Sequence, residues 1–368
     1  MGPLMAETSR LRSLDAFRGL AIAGMILVNN PGSWSYIYPP LDHAPWHGWT
    51  PTDLVFPFFL FAVGASLTFS FARRRRDGST GSALMRKIIW RSVVLFAIGL
   101  LLNFIPSFDL HTLRISGVLQ RIAVVYFVAA SLYLVLSPRV LAVLGALLLV
   151  GYWLAMTRVP VPGYGPGVLE PIGNLAQHID SHLLAGHMWK PDWDPEGLLS
   201  TVPAIVSCLL GIYAGLVLQR AEPPAERTAR LALTGFGALV LGWVWSFWFP
   251  INKNLWTSSY VLFTGGLALL LLATLYWWID IRQRRAWSTP FCVFGVNALL
   301  AFVLSGLLAR LLIAWEIGGT SARVWIYEHW FASWAGPLNG SLAFAVAYVV
   351  LWFLILLVLD KRGWYVKL

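Results

Sequence analysis

Residues 29–53, NNPGSWSYIYPPLDHAPWHGWTPTD, gather side chains able to do chemistry. His43 and His47 stand four residues apart, with Asp42 and Asp53 close by and Asn29 and Asn30 at the start. An imidazole titrates near neutrality, so it can take a proton from an attacking group or attack a carbonyl itself. An amide N–H beside it can meet the negative oxygen that develops in acyl transfer. Asp42 or Asp53 can orient the ring, although Asp53, two residues after Pro51, reads better as a cap for the helix that follows. A zinc site would need a third ligand from elsewhere, such as His178 or Asp194. No HExxH pattern follows, and Pro45 argues against a regular helix presenting both histidines, so no metal is expected. An ordinary interfacial loop is the plainer account of the same residues.

The elements that must position this segment lie in a bilayer. Of the 368 residues, 58% are hydrophobic and only 12% charged, against about 25% charged in a soluble domain. That excludes disorder, a nucleic-acid-binding domain and an ordinary cytosolic enzyme. Ten apolar stretches are long enough to cross a hydrocarbon core, at about 15–33, 53–72, 87–105, 117–136, 139–157, 199–218, 231–249, 258–279, 290–314 and 340–359. Their continuity excludes a β-barrel, whose strands alternate. The expected fold is an all-α polytopic membrane protein of about ten transmembrane helices, one domain over residues 1–368. The first span reads as an uncleaved helix. The 20 tryptophans suit bilayer interfaces, and Cys208 and Cys292, deep in apolar runs, give neither a disulfide framework nor a metal spacing.

Basic residues set the orientation. With the N-terminus inside, all but seven of the 27 lysines and arginines fall on the inner side, from Arg10 through the turn at Arg73–Arg76 to Lys367. The exceptions are Arg114, Arg121, Arg158, Lys190, Lys253, Arg310 and Arg323. Both termini are therefore expected in the cytoplasm. The net charge of +10 then reads as basic loops facing anionic lipid or an anionic ligand, not nucleic acid. The same map puts all seven histidines on the outer half. The loop at 158–198, rich in Pro, Gly, His and Asp, is long enough to cap an outer site.

Several blocks carry a resemblance. LRSLDAFRGLAIAGMILVNNPG and LDHAPWHGWTPTDLVFPFFLFAVG are followed in order by ISGVLQRIAVVYFVAA, DPEGLLSTVPAIVSCLLGIYAG and PINKNLWTSSYVLFTGG, and more loosely by TPFCVFGVNAL. Together they resemble the heparan-alpha-glucosaminide N-acetyltransferase family of membrane acetyltransferases. The resemblance implies an acetyltransferase that moves the acetyl group of cytosolic acetyl-CoA across the membrane to the amino group of a glucosamine-type sugar. It matches the family's active-site histidine to His43 and its partner asparagine to Asn29; His47 stands where the lysosomal member has asparagine and receives no role. The chain lacks that member's extra luminal domain and leading helix, which suggests a bacterial relative in the inner membrane, with the 158–198 loop periplasmic. The family also implies a homodimer.

Such a reaction needs the thioester to reach His43 from the inner side. A polar cavity between helices is expected, lined from Asp15, Arg18, Arg121, Lys253 and Asn297, because ionisable groups in spans are costly and usually functional. The same residues could instead pair for structure. Arg86, Lys87 and Arg91 on the inner turn are the candidates for the anionic end of CoA. Two routes stay open at His43, general base or acetyl-imidazole carrier. An amino-sugar transporter and an O-acyltransferase of surface glycans are the alternatives.

Overall fold

The computed structural model describes residues 11–105 and 108–366. Arg10 and Lys367, two of the basic residues placed inside, lie outside the described residues. Among the described residues there are thirteen α-helices, and almost all strand content is one hairpin. The helices are α1 (Arg12–Asn29), α2 (Val55–Arg76), α3 (Gly81–Phe104), α4 (Val118–Val135), α5 (Pro138–Arg158), α6 (Leu175–Leu183), α7 (Thr201–Leu218), α8 (Pro224–Trp245), α9 (Ser258–Leu275), α10 (Thr289–Val296), α11 (Ala298–Ala314), α12 (Ala322–Ile326) and α13 (Ser333–Lys361). The hairpin pairs Glu316–Ile317 with Thr320–Ser321 in antiparallel register.

Among the described residues, eight helical segments are long and apolar enough to cross a membrane, and a ninth forms if α10 and α11 are taken as one span bent by 71°. Two of the ten expected stretches are not among these eight. The α1 helix carries Arg12, Asp15 and Arg18 within its first seven residues, too much charge for an unassisted apolar span. The span expected at 290–314 is broken at Asn297, which joins α10 to α11 outside helical geometry.

Backbone proximity fixes the centre of the bundle. Lipid tails are as apolar as leucine side chains, so helices in a bilayer associate through close packing, and small residues allow it. A Cβ on Gly64 of α2 would stand 2.0 Å from the Cys208 carbonyl oxygen, and one on Gly211 of α7 would stand 1.9 Å from that of Phe61. The α1–α10 pair is built the same way. A Cβ on Gly19 would meet the Phe291 oxygen at 1.7 Å, and one on Gly295 the Asp15 oxygen at 1.9 Å.

The loops between α1 and α2, α3 and α4, α5 and α7, α8 and α9, and α11 and α13 meet at one end. Gly48 N donates to Ile251 O, Ile115 N to His187 O, the Trp46 indole to Leu169 O, and Arg323 to Pro31 O. All seven histidines lie in these segments. Arg73–Arg76, Arg220 and Arg282–Arg285 belong to the turns of the other end.

Gly211→Ala is expected to lower the thermal midpoint of the detergent-solubilised protein, since overpacking against rigid backbone costs about 1–3 kcal/mol or more. Gly151→Ala on α5, where an added Cβ meets nothing within 4 Å, is expected to leave it unchanged or raise it slightly.

Candidate active site

The segment after α1 is irregular except for a 3₁₀ turn at Pro39–Leu41, until a second one, Pro51–Leu54, leads into α2. Thr50 and Asp53 form a capping box there, in which the Thr50 N–H donates to Asp53 Oδ2 at 3.0 Å; the turn itself is closed by the Asp53 N–H on the Thr50 carbonyl oxygen at 3.0 Å. Asp53 is thus the cap that its position suggests. It is also more than a cap. Its Oδ1 lies 2.6 Å from His43 Nδ1, its Oδ2 accepts the Ala44 N–H at 3.0 Å, and its own carbonyl accepts the Tyr260 hydroxyl. Asp42, the other carboxylate considered for orienting the ring, does not touch it; Asp42 Oδ1 accepts the backbone N–H of His43 instead.

Lys253 completes the group. Its Nζ lies 3.0 Å from His43 Nδ1, 3.2 Å from Nε2 and 3.6 Å from Asp53 Oδ1. The turn that presents it is over-determined. Asn252 Oδ1 accepts the Leu255 N–H, Thr257 Oγ1 accepts the Asn252 N–H, and Trp256 is held at φ 51°. A left-handed tryptophan is strained, and surrounding structure must hold it. Here the indole donates to Ser207 Oγ and packs edge-on against Phe56 and Tyr260. Burial lowers the Lys253 ammonium below its ordinary value, and Asp53 restores it only in part.

An anionic carboxylate on Nδ1 favours the tautomer with the proton there, leaving the Nε2 lone pair for chemistry. The ammonium stands almost equally near both ring nitrogens, 3.0 Å from Nδ1 and 3.2 Å from Nε2, within reach of an oxygen brought up against the ring. The His43 side chain is 39% exposed and Asp53 only 1%, so the imidazole is reachable while the carboxylate that holds it is sealed.

The other candidates separate into groups. His47 Nδ1 accepts from the Asn252 amide at 3.3 Å, and its Nε2 faces Glu170 at 3.8 Å. Asn29 ends α1 with an exposed side chain that makes no hydrogen bond among the described residues. Arg121 on α4 is buried over the Trp256 ring; it donates to Gly197 O and Ser200 Oγ, while its Nε and Nη1 have no partner among the described residues. Asp15 and Arg18 pair within α1, and Arg18 also donates to Gly295 O and Ser66 Oγ. The structure does not bring Asn297 to His43. At the α10–α11 break, its side chain holds the backbone of Trp364 and Val366. Arg86 and Lys87 are exposed on α3, and Arg91 lies over the Tyr126 ring with its buried Nε unpartnered among the described residues.

Asp194 belongs to a second network rather than to a helix cap. Its carboxylate accepts from Arg114 at 2.8 and 2.6 Å, from Ser116, and from the N–H groups of Trp189 and Glu196. This pair ties the α3–α4 loop to the approach to α7. His178, the other metal ligand considered, packs against His182 at 4.3 Å with the rings tilted by 54°, and no cluster of three metal-ligating side chains exists among the described residues.

Burial pushes the Asp194 carboxyl up, but Arg114 and Ser116 overcome it and hold it below the usual range. A depressed carboxylate adds stability that is present above its ordinary value of about 4 and lost as pH falls through the lowered one. The gap in thermal midpoint between the native chain and Asp194→Asn is therefore expected to be wide at pH 7 and to close progressively below about pH 4.

Residues 10–239 match the family model described as heparan-alpha-glucosaminide N-acetyltransferase, catalytic. The chain is 35% identical to heparan-alpha-glucosaminide N-acetyltransferase of Homo sapiens over 82% of its own length and 53% of the relative's. The Mus musculus protein of the same name is also 35% identical, over 81% of this chain and 53% of the relative. The chain thus spans about half the length of the curated relatives it matches.

Proposed function

Given that this chain belongs to the heparan-alpha-glucosaminide N-acetyltransferase family, we propose that it transfers acetyl across a bacterial cytoplasmic membrane. The donor is cytosolic acetyl-CoA, and the acceptor is the amino group of a glucosamine-type sugar on the periplasmic side. The observation that carries this reading is the His43–Asp53–Lys253 group at the histidine-bearing end. The basic turns at the other end support an orientation with both termini cytoplasmic.

The donor supplies an acetyl thioester; the chain's residues do the rest. His43 Nε2 takes a proton from the attacking amine as the C–N bond forms and the C–S bond breaks, and that proton leaves with the CoA sulfur. In a two-step version Nε2 attacks first and carries the acetyl to the amine. Asp53 holds the ring in the working tautomer in both. Lys253 meets the carbonyl oxygen as it gains charge, because its ammonium already stands 3.2 Å from the attacking nitrogen. Asn29, matched by the family's motif, is assigned as a second donor to that oxygen.

Arg86, Lys87 and Arg91 are assigned to the phosphates of CoA, and the orphaned Arg91 Nε is a buried donor awaiting an acceptor. Asp15, Arg18 and Arg121 are assigned to the polar route between that end and His43. The unpartnered Arg121 Nε and Nη1 fit the carbonyl oxygens of the donor's arm.

His43→Ala is expected to keep the fold yet lose at least about 10²-fold in transfer, measured as acetylated glucosamine formed from acetyl-CoA. His47→Ala is expected to retain much of the activity. Normal turnover by the His43 variant would remove the assignment.

Lys253→Met is expected to lower kcat more than it raises KM, since a donor to the developing oxyanion acts mainly in the transition state. Lys253→Arg is expected to restore part of that loss.

A further inference from the structure

One fully buried tyrosine reaches the backbone of Asp53, and we infer that Tyr260 is a positioning residue for the transfer. Through the Asp53 carbonyl it keeps the Asp53 carboxylate on His43 and in register with Lys253. The inference rests on the acetyltransferase reading for the step it serves, while the state of the His43 ring can be read without any turnover.

The need for such a residue arises at the start of α2. A helical carbonyl accepts from the N–H four residues on. For Asp53 that residue is Pro57, which has no N–H to give. Asp53 is 1% exposed and Pro57 is buried in α2, so bulk water does not reach the gap, and a buried carbonyl without a donor is costly. The Tyr260 hydroxyl donates to this Asp53 carbonyl oxygen from the first turn of α9, 207 positions away. Tyr260 itself is 0% exposed. Its hydroxyl bonds the carbonyl and not the carboxylate, so it does not touch the reacting atoms. It sets where the turn that bears the carboxylate stands.

The same phenol ring faces the turn that bears Lys253. Trp256, three residues after Lys253 and four before Tyr260, meets the Tyr260 ring edge-on at 5.3 Å and 81°. Trp256 also meets Phe56, three residues after Asp53, at 5.2 Å and 78°. Tyr260 thus engages both turns whose charges flank His43, one by a hydrogen bond and the other by ring packing. Asp53 Oδ1 and Lys253 Nζ stand 3.6 Å apart, and a side chain fixed in α9 between the two turns holds that spacing. Tyr348 on α13 makes the matched comparison. It is also buried, and its hydroxyl donates to Ser305 O at 2.7 Å, which ties α13 to α11 without engaging either turn.

The test uses the full chain in detergent. Tyr260→Phe keeps the ring and removes the hydroxyl; it is expected to lower kcat about tenfold or more, with KM for acetyl-CoA unchanged. Tyr348→Phe, which deletes the comparable hydroxyl elsewhere, is expected to keep the native kcat. Pro57→Ala added to Tyr260→Phe is expected to recover part of the loss, because an amide N–H at position 57 can reach the Asp53 carbonyl within the helix. The same double variant supplies the answer if removal of the hydroxyl alone unfolds the chain. The readout that needs no turnover is the nitrogen NMR spectrum of isotope-labelled histidine, with the His43 signals identified by their loss in His43→Ala. The native chain is expected to hold neutral His43 with its proton on Nδ1, and Tyr260→Phe to shift it toward the Nε2–H form. That shift supports the inference even in a chain that transfers no acetyl, a result that would remove the acetyltransferase reading alone. A folded Tyr260→Phe chain whose His43 tautomer and kcat stay native would overturn the inference, and so would a fall in kcat that Tyr348→Phe matches.

Discussion

The carboxylate of Asp53 answers three demands at once. It closes the start of α2, it fixes the ring of His43, and it neutralises Lys253 in a setting sealed from water. A buried charge of this kind survives only where opposite charge and hydrogen bonds replace the lost hydration. Asp53 has both, through His43, Lys253 and the N–H groups of Ala44 and Thr50. The geometry that holds the His43 ring is therefore also the geometry that makes the helix start stable. The 39–54 segment cannot drift without uncapping α2, and the turn at 252–256 cannot drift without stranding Lys253 beside an apolar core.

That arrangement depends in turn on where the helices stand. Glycine-mediated contact between α2 and α7 sets the backbone on which Asp53 rides at a fixed distance from the backbone that leads back to Ser200 and Gly197. Arg121 of α4 bridges from there to Trp256, and Trp256 sits in the turn that presents Lys253. Close packing without side chains in between leaves little slack, which is what acyl transfer requires. Positioning reacting atoms within a few tenths of an ångström accounts for a large part of such rate enhancement. The polar cost of the site is confined to the loop end of the bundle, where hydrated segments can share it, while lipid-facing surfaces such as that of α8 stay apolar.

Long continuous apolar runs made the all-helical membrane fold legible in the sequence, and the basic turns and histidine-bearing loops sorted themselves to opposite ends. His43 was legible too, from its residue type and the blocks around it. Asp53 was half legible. The Thr-Pro-x-Asp pattern explains it fully as a cap, and nothing local shows that a loop ten residues earlier folds back to place an imidazole on the same carboxylate. Lys253 stood out as an ionisable group near an apolar span, but its contact with His43 crosses 210 positions and leaves no periodic trace. Asn297 misled for the opposite reason. A polar residue inside an apolar run suggests a lined cavity, and here it marks a helix break whose freed side chain holds the C-terminal backbone. The charge of α1 misled less, since Asp15 and Arg18 satisfy each other within one turn.

The most direct measurement is the turnover number of Asp53→Asn, in a chain shown by its thermal midpoint to remain folded. The amide keeps the shape and the cap but no longer fixes the Nδ1–H tautomer or balances Lys253. The account predicts a fall of at least about 10²-fold in acetyl transfer, by analogy with the orienting carboxylate of a catalytic triad, with acetyl-CoA still bound. A folded Asp53→Asn chain that transfers acetyl at the native rate would contradict it.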